Sequence, residues 1–199
     1  MEAEIGKAAV RYARSEVMSE TSGSAPAEAP SGDAFGESRG AFVTLKTFPD
    51  GMLRGCIGYP YPVFPLYKTI SEAARSACHD PRFRDLTFEE AKRVTVEVTV
   101  LTVPEPFGPS SPEEIVGSVR IGRDGLMLER RGCRGLLLPQ VPVEQGWDVM
   151  EYLQGLSFKA GLRPDAWAQP DARLFRFEGE VFHETEPFGE AVRGDPDVV

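Results

Sequence analysis

Alternating apolar and polar residues mark the strands of this chain. In RVTVEVTVL, 93–101, every second residue is valine, which predicts a strand with one buried face. The segment AFVTLKTF, 41–48, is followed by the turn PDG and then by MLRGCIGY, 52–59. That order predicts a β-hairpin. RLFRFEGEVF, 173–182, predicts a further strand.

Apolar residues at helical spacing predict the helices, which cover 2–17, 67–79, 88–93 and about 147–160. Thr87 precedes two acids and is expected to cap the third helix, and Gly161 is expected to follow the last as its left-handed C′ residue. Because the strands are joined by short turns and interleaved with helices, the expected fold class is α+β with an antiparallel sheet and flanking helices.

Two other stretches have their own patterns. The segment 118–140 alternates apolar runs with the turns DG and RGCRG, which predicts a three-stranded meander. Residues 19–40 are rich in Ser, Gly, Ala and Pro and poor in large apolar side chains, so we expect a mobile loop there.

Charge is divided unevenly along the 199 residues. The net charge is −9, yet 1–37 contributes −4, 177–199 contributes −6 and the body between them is close to neutral. A globally acidic protein is a poor candidate for binding nucleic acid, but the near-neutral body makes that argument weaker here than the net charge suggests. No apolar run approaches the ~20 residues of a membrane span, and the charged N-terminal helix does not resemble a signal peptide.

The three cysteines are an odd set without the paired spacing of a zinc site, so neither a disulfide framework nor a metal is expected. Reduced thiols point to the cytoplasm. The glycines match neither common nucleotide-binding pattern, and no cofactor is expected.

Cys56 is the first candidate for chemistry. Because side chains alternate along a strand, Arg54 projects from the same face with its Cα about 7 Å away, and a guanidinium at that range would favour the thiolate and lower the cysteine's pKa. Gly55 and Gly58 would let a ligand or another backbone come close. The alternative is that Cys56 is a small buried hydrophobe.

The remaining candidates have structural alternatives. Glu97 faces away from the valines, and the preferred interpretation is the solvated face of a half-buried sheet; if that face lines a cleft, Glu97 is a candidate base or cation-binding carboxylate. Cys133 lies in a predicted turn and Cys78 on a helix face, and neither needs a function. Five arginines against two acids in 120–134 could receive phosphate, nucleic acid or an acidic partner, although a solvated hairpin edge guarded by charge is the preferred interpretation.

Five segments in order resemble one family, the AMMECR-type domain, and its stand-alone prokaryotic and archaeal members in particular. They are LRGCIG at 53–58, DPRF at 80–83, VTVEVTVL at 94–101, LLLPQVPVEQGW at 136–147 and FKAGL at 158–162. LRGCIG is the family's hallmark. The chain departs from its usual continuation, a threonine and an aromatic residue, by having Tyr59 and Pro60.

The resemblance implies a single domain of two lobes, the smaller at about 105–140, with a cleft between them near the hallmark. It implies no reaction, because the family has no established one. Related members are fused to, or encoded with, Memo-like and radical-SAM proteins, which implies partners of those kinds. The family segments also supply the binding candidates, which are Gly55, Gly58, Arg82, Gln140, Glu144 and Lys159.

Two functions follow from these expectations. The chain is a cleft enzyme or a component of a modification pathway, with Cys56 as nucleophile or redox thiol, Arg54 as its activator and Glu97 as a base. Alternatively it is a binding or adaptor module without chemistry that receives a Memo-like or radical-SAM partner, or a small anion, since the sequence holds no complete set of nucleophile, base and orienting group.

Overall fold

The computed structural model describes residues 1–108 and 111–194, which form helices and two sheets. The α-helices are α1 (Ala3–Ser22), α2 (Asp33–Gly36), α3 (Leu66–Ala77), α4 (Phe88–Ala91), α5 (Pro112–Ser118), α6 (Gln140–Gln145) and α7 (Val149–Lys159). The strands are β1 (Ala41–Thr47), β2 (Leu53–Tyr59), β3 (Val94–Leu101), β4 (Glu105–Pro106), β5 (Gly125–Arg130), β6 (Cys133–Leu137), β7 (Arg173–Phe177), β8 (Gly179–Glu184) and β9 (Ala191–Arg193). The fold is therefore α+β with antiparallel sheets, and this prediction is confirmed.

The first of two compact units comprises Met1–Leu101 and residues 180–194. Its five-stranded sheet has the order β2-β1-β3-β8-β9. The predicted hairpin is β1 and β2, and the alternating valines of β3 are buried in a core that they share with α1 and α3. At α4 the predicted cap is present, because Thr87 and Glu90 bond each other's backbone N–H groups.

A buried ion pair joins α1 to the sheet of the first unit. The Arg14 guanidinium donates to the Glu184 carboxylate and to the backbone carbonyls of Ala91 and Val94, at 2.7 and 2.6 Å. Glu184 also accepts from the N–H of Val96 at 2.9 Å. Both side chains are more than 90% buried, so each charge depends on the other for compensation.

Gly55 allows β2 to lie against the end of α3. A Cβ at this position would be 2.3 Å from the carbonyl oxygen of Ala77, a backbone atom that has little freedom to move. The first glycine of the hallmark, Gly55, is therefore required by the packing of β2 on the C-terminal end of α3.

The second unit comprises Thr102–Gly179. Its sheet has the order β4-β7-β5-β6, and its own core lies between the sheet and α7. The unit is longer than the smaller lobe expected at 105–140, because α7 and β7 complete its core and its sheet. Helix α7 is followed by Gly161 at φ +72°, as the sequence predicted.

Three details differ from the sequence prediction. The meander is wrong in its first strand: the buried Asp124 carboxylate accepts from the N–H of Arg120 at 2.9 Å and from Arg123, which closes a turn where a strand was expected. The strand at 173–182 is two strands, β7 and β8, in different sheets. In the segment 19–40, α1 continues to Ser22 and Phe35 of α2 is buried, while the mobility of the segment stays a prediction.

Removing the charge of Glu184 is expected to destabilise the first unit. Glu184→Gln leaves the Arg14 guanidinium buried without its counter-charge, and we expect a loss of about 3–5 kcal/mol in the free energy of unfolding, measured by urea denaturation. The control is Glu190→Gln, which removes an exposed partner of Lys7 and should cost less than about 1 kcal/mol. Equal losses in the two variants would contradict the importance of the buried pair.

A methyl group at Gly55 is expected to push β2 away from α3. Gly55→Ala should lower the free energy of unfolding by about 1–3 kcal/mol, because the new Cβ meets backbone rather than a side chain that can turn aside. Gly36→Ala is the matched control in the same unit, since nothing lies within 4 Å of its added Cβ. If the two variants unfold at the same urea concentration, the steric argument for the hallmark glycine fails.

Candidate active site around Cys56

One face of the first sheet carries the polar residues of three neighbouring strands. We call it the open face, and it consists of Phe42, Thr44, Lys46, Cys56, Gly58, Thr95, Glu97 and Thr99. The alternate residues of the same strands are in the core with α1 and α3, so strand alternation places these eight residues on the opposite face. Thr44 pairs with Cys56 on one side and with Glu97 on the other, which puts the three in one row across the sheet.

Cys56 lies in the middle of β2 and is half-buried. Its Sγ accepts a hydrogen bond from the Thr44 hydroxyl at 3.2 Å. Burial raises the pKa of the Cys56 thiol above its ordinary value, and the Thr44 hydrogen bond and the charge of Arg82 offset this only in part. At neutral pH the group is therefore a protonated thiol that takes part in hydrogen bonds.

The outer edge of β2 is held by the segment DPRF. Asp80, which is only 1% exposed, accepts from the backbone N–H of Cys56 at 2.9 Å and from the backbone and guanidinium of Arg82. Arg82 in turn donates to the Cys56 carbonyl at 3.2 Å. Because Arg82 supplies the largest of these interactions, the pKa of Asp80 is well below its usual range and the carboxylate stays ionised.

Arg54 does not activate Cys56, and the predicted lowering of the thiol's pKa by Arg54 is wrong. The pairing of β1 and β2 shifts at this point: Leu45 pairs with Gly55 but Lys46 pairs with Leu53, so Arg54 is the extra residue of a β-bulge. Regular alternation, on which the prediction depended, is lost there.

The bulge directs Arg54 toward the segment that leads into α4. Its guanidinium donates to the carbonyl of Arg84 at 3.1 Å and pairs with the carboxylate of Glu90 at 3.3 Å. Only 11% of the side chain is exposed. Arg54 therefore acts as a positioning residue for residues 84–90, and the cation that favours the Cys56 thiolate is Arg82.

Glu97 belongs to the open face but is engaged with Lys46. The Lys46 ammonium donates to the Glu97 carboxylate at 2.9 Å. Cys56 and Glu97 are separated by strand β1, so their backbones are about 10 Å apart at normal strand spacing. The negative charge of Glu97 raises the pKa of Cys56 and so disfavours its thiolate.

Protein atoms fill the space beside the two hallmark glycines. Gly55 meets Ala77, and a Cβ on Gly58 would be 2.3 Å from the ring of Phe42 and 2.6 Å from the carbonyl of Ala41. Of the other binding candidates, Gln140 and Glu144 lie on α6 and Lys159 on the last turn of α7, all in the second unit. The binding roles of all these residues, like the cleft, stay predictions.

Sequence reasoning missed Thr44, Lys46 and Asp80. The first two could have been found from strand register, had the hairpin been paired residue by residue with β3. Asp80 had no such signal, because its contact with Cys56 spans 24 positions of chain. Across residues 1–108 and 111–194, no group of three or more His, Cys, Asp or Glu side chains is arranged to hold a metal ion. Within the same ranges, no helix combines the length and apolar character that a membrane span requires.

Comparison with known proteins gives a consistent result. Protein MJ0810 of Methanocaldococcus jannaschii is 48% identical to this chain over 190 residues, which cover 95% of this chain and 94% of that protein. Protein MK0488 of Methanopyrus kandleri is 46% identical over 189 residues. The crystal structure of an uncharacterized protein of Pyrococcus horikoshii, PH0010, superposes with a TM-score of 0.78 at 40% identity and covers 98% of both chains.

The family model for AMMECR1 matches residues 10–182, which include residues 102–179 of the second unit, most of the first unit and all of the hallmark. The family prediction made from the five segments is thereby confirmed. This chain belongs to the AMMECR1 family.

Proposed function

We propose that this protein is a binding module for a partner protein, and that the open face around Cys56 is its contact surface. The observation that carries the proposal is the state of Cys56, a half-buried thiol that accepts a hydrogen bond from Thr44 and whose pKa is raised. Such a sulfur contributes shape and hydrogen bonding to a contact and is a weak nucleophile at neutral pH.

The charge distribution of the open face supports recognition of a polar partner segment. Lys46 and Glu97 present opposite charges side by side, next to the hydroxyl of Thr44. Charge pairs at an interface fix the orientation and specificity of a contact, and removing one member also weakens binding because the other charge is left unpaired. The proposed partners are Memo-like or radical-SAM proteins, as the family resemblance implies. The cytoplasmic location expected from the cysteines is part of the same proposal.

A second candidate function is a thiol enzyme that uses Cys56. Two contacts favour it: the Thr44 hydroxyl and the Arg82 charge both stabilise a thiolate. In this scheme Arg82 takes the place that the sequence gave to Arg54. For catalysis at neutral pH, these two contacts would have to outweigh the effect of burial when a substrate is bound.

The pH dependence of alkylation separates the two functions. A Cys133→Ser background leaves Cys56 as the accessible thiol, because Cys78 is buried. In this background the rate of iodoacetamide alkylation should rise with pH with an apparent pKa above that of free cysteine in the same buffers. Thr44→Val, which removes the donor but keeps the shape, should move that pKa further upward. An apparent pKa below that of free cysteine would favour the enzyme and contradict the binding proposal.

Partner capture tests the contact surface directly. With a Memo-like and a radical-SAM protein as baits, Lys46→Ala should reduce capture at least about tenfold, since it removes one charge of the recognition pair. Cys56→Ser should retain capture. Lys92→Ala is the matched control, because Lys92 is an equally exposed lysine paired with Glu89 on α4. If Lys46→Ala and Lys92→Ala capture alike, the open face is not the contact surface.

A further inference from the structure

A second cluster of charges lies in the second unit, at the turn that joins β5 to β6. It surrounds a pocket of about 430 Å³, whose lining residues are Glu129, Arg130, Arg131, Gly132, Cys133, Arg134, Asp171 and Arg173. Four arginines and two carboxylates in one pocket give a local charge of +2, in a protein whose net charge is −9. Residues 131–134 of the string RGCRG, to which the proposed function assigns no role, line this pocket.

The strand register builds the first half of the cluster. Glu129 on the central strand β5 pairs with Arg134 on β6 and with Arg173 on β7, so that the carboxylate has an arginine on either side. Both guanidinium groups form ion pairs with the Glu129 carboxylate, and the distance from Arg173 is 2.5 Å. The Glu129 carboxylate thus holds two guanidinium groups close together and compensates their mutual repulsion.

Asp171 organises the second half in the same way. It accepts from Nε of Arg130 at 2.5 Å and from Nε of Arg131 at 2.6 Å. These two bonds lower the pKa of Asp171, so the carboxylate is ionised at neutral pH and the local charge of +2 holds. Both bonds use Nε alone, and among the described residues no acceptor bonds the η nitrogens of Arg130 or Arg131.

Turn geometry keeps this arrangement compact. Arg131 and Gly132 both have positive φ, at 52° and 80°, as a two-residue hairpin turn requires. A residue other than glycine seldom adopts a positive φ, so Arg131 occupies a position where Asn, Asp or Gly is the usual choice. The interpretation preferred from the sequence is a solvated hairpin edge guarded by charge. It explains neither the arginine at the positive-φ position 131 nor the sharing of two carboxylates by four arginines.

We propose that this pocket binds a phosphate monoester. A phosphate monoester carries a charge of about −1.5 to −2 at pH 7, which matches the charge of the pocket. Guanidinium groups bind phosphate oxygens through paired N–H donors, and arginine is the residue best suited to this recognition. The η nitrogens of Arg130 and Arg131 supply donors, and Arg134 and Arg173 contribute positive charge from the other side of the pocket.

Binding of phenyl phosphate, followed by ³¹P NMR and by calorimetry, tests the proposal. The wild-type protein should bind it saturably with a Kd of about 1–10 mM at low salt. The double variant Arg131→Gln/Arg173→Gln should bind at least about tenfold more weakly, because it lowers the local charge from +2 to zero. Both side chains are more than 70% exposed, so folding should be unaffected. Arg163→Gln, also exposed and in the same unit, is the matched control.

The outcomes are distinct. Weakening in the double variant but not in Arg163→Gln supports the site, and a phosphoserine peptide that binds more tightly than phenyl phosphate would place the phosphoryl group on a protein. No saturable binding by the wild-type protein, or equal binding by the double variant, overturns the proposal. It is also overturned if a single-stranded oligonucleotide binds while phenyl phosphate does not, because the ligand would then be a polyanion.

The thiol of Cys133 provides a second measurement that does not depend on calorimetry. In a Cys56→Ser background, the dianionic reagent 5,5′-dithiobis(2-nitrobenzoate) should react faster than neutral 4,4′-dithiodipyridine, relative to their rates with free cysteine. Phenyl phosphate should reduce this preference, and so should the double variant. A preference equal to that of free cysteine at low salt contradicts a positively charged pocket at this place.

Discussion

The carboxylate of Asp80 is the contact on which the geometry around Cys56 depends. It is almost fully buried and is compensated by two backbone N–H groups and one guanidinium. An ionised carboxylate at this depth would cost several kcal/mol without such partners. Strand β2 is therefore fixed along both edges, by the ladder to β1 on the inner side and by Asp80 on the outer side. The distance from Cys56 to Thr44 follows from that double attachment.

The hallmark LRGCIG can be understood largely from these attachments. Arg54 occupies the bulge and ties the segment before α4, Gly55 admits the end of α3, and Gly58 admits the ring of Phe42. These three residues each meet a steric or electrostatic need of the fold. Cys56 is the exception, because its side chain lies on the open face, where the core makes no demand on it. A role in recognition is consistent with that freedom.

The sequence predicts what depends on local pattern. The alternating valines of β3, the cap at Thr87 and the turn of the first hairpin each arise from neighbouring residues, and all are present. Alternation fails at Arg54 because one inserted residue reverses the faces of a strand, and no local pattern marks the bulge. The second partner of β5, strand β7, could not be predicted either. It lies more than forty residues further along the chain and pairs with β5 on the side opposite β6, where the meander placed its first strand.

The tripeptide Arg-Gly-Cys occurs twice, and its two environments show why such a string carries no chemistry of its own. At Cys56 it forms an edge strand, its arginine turns away at a bulge, and burial keeps the sulfur protonated. At Cys133 it forms the two-residue turn and the first residue of β6, and its arginine lines the pocket with three others. The first environment favours a neutral hydrogen-bonding contact and the second attracts anions. The properties of each thiol are therefore set by strand pairing and by the charges that pairing brings together.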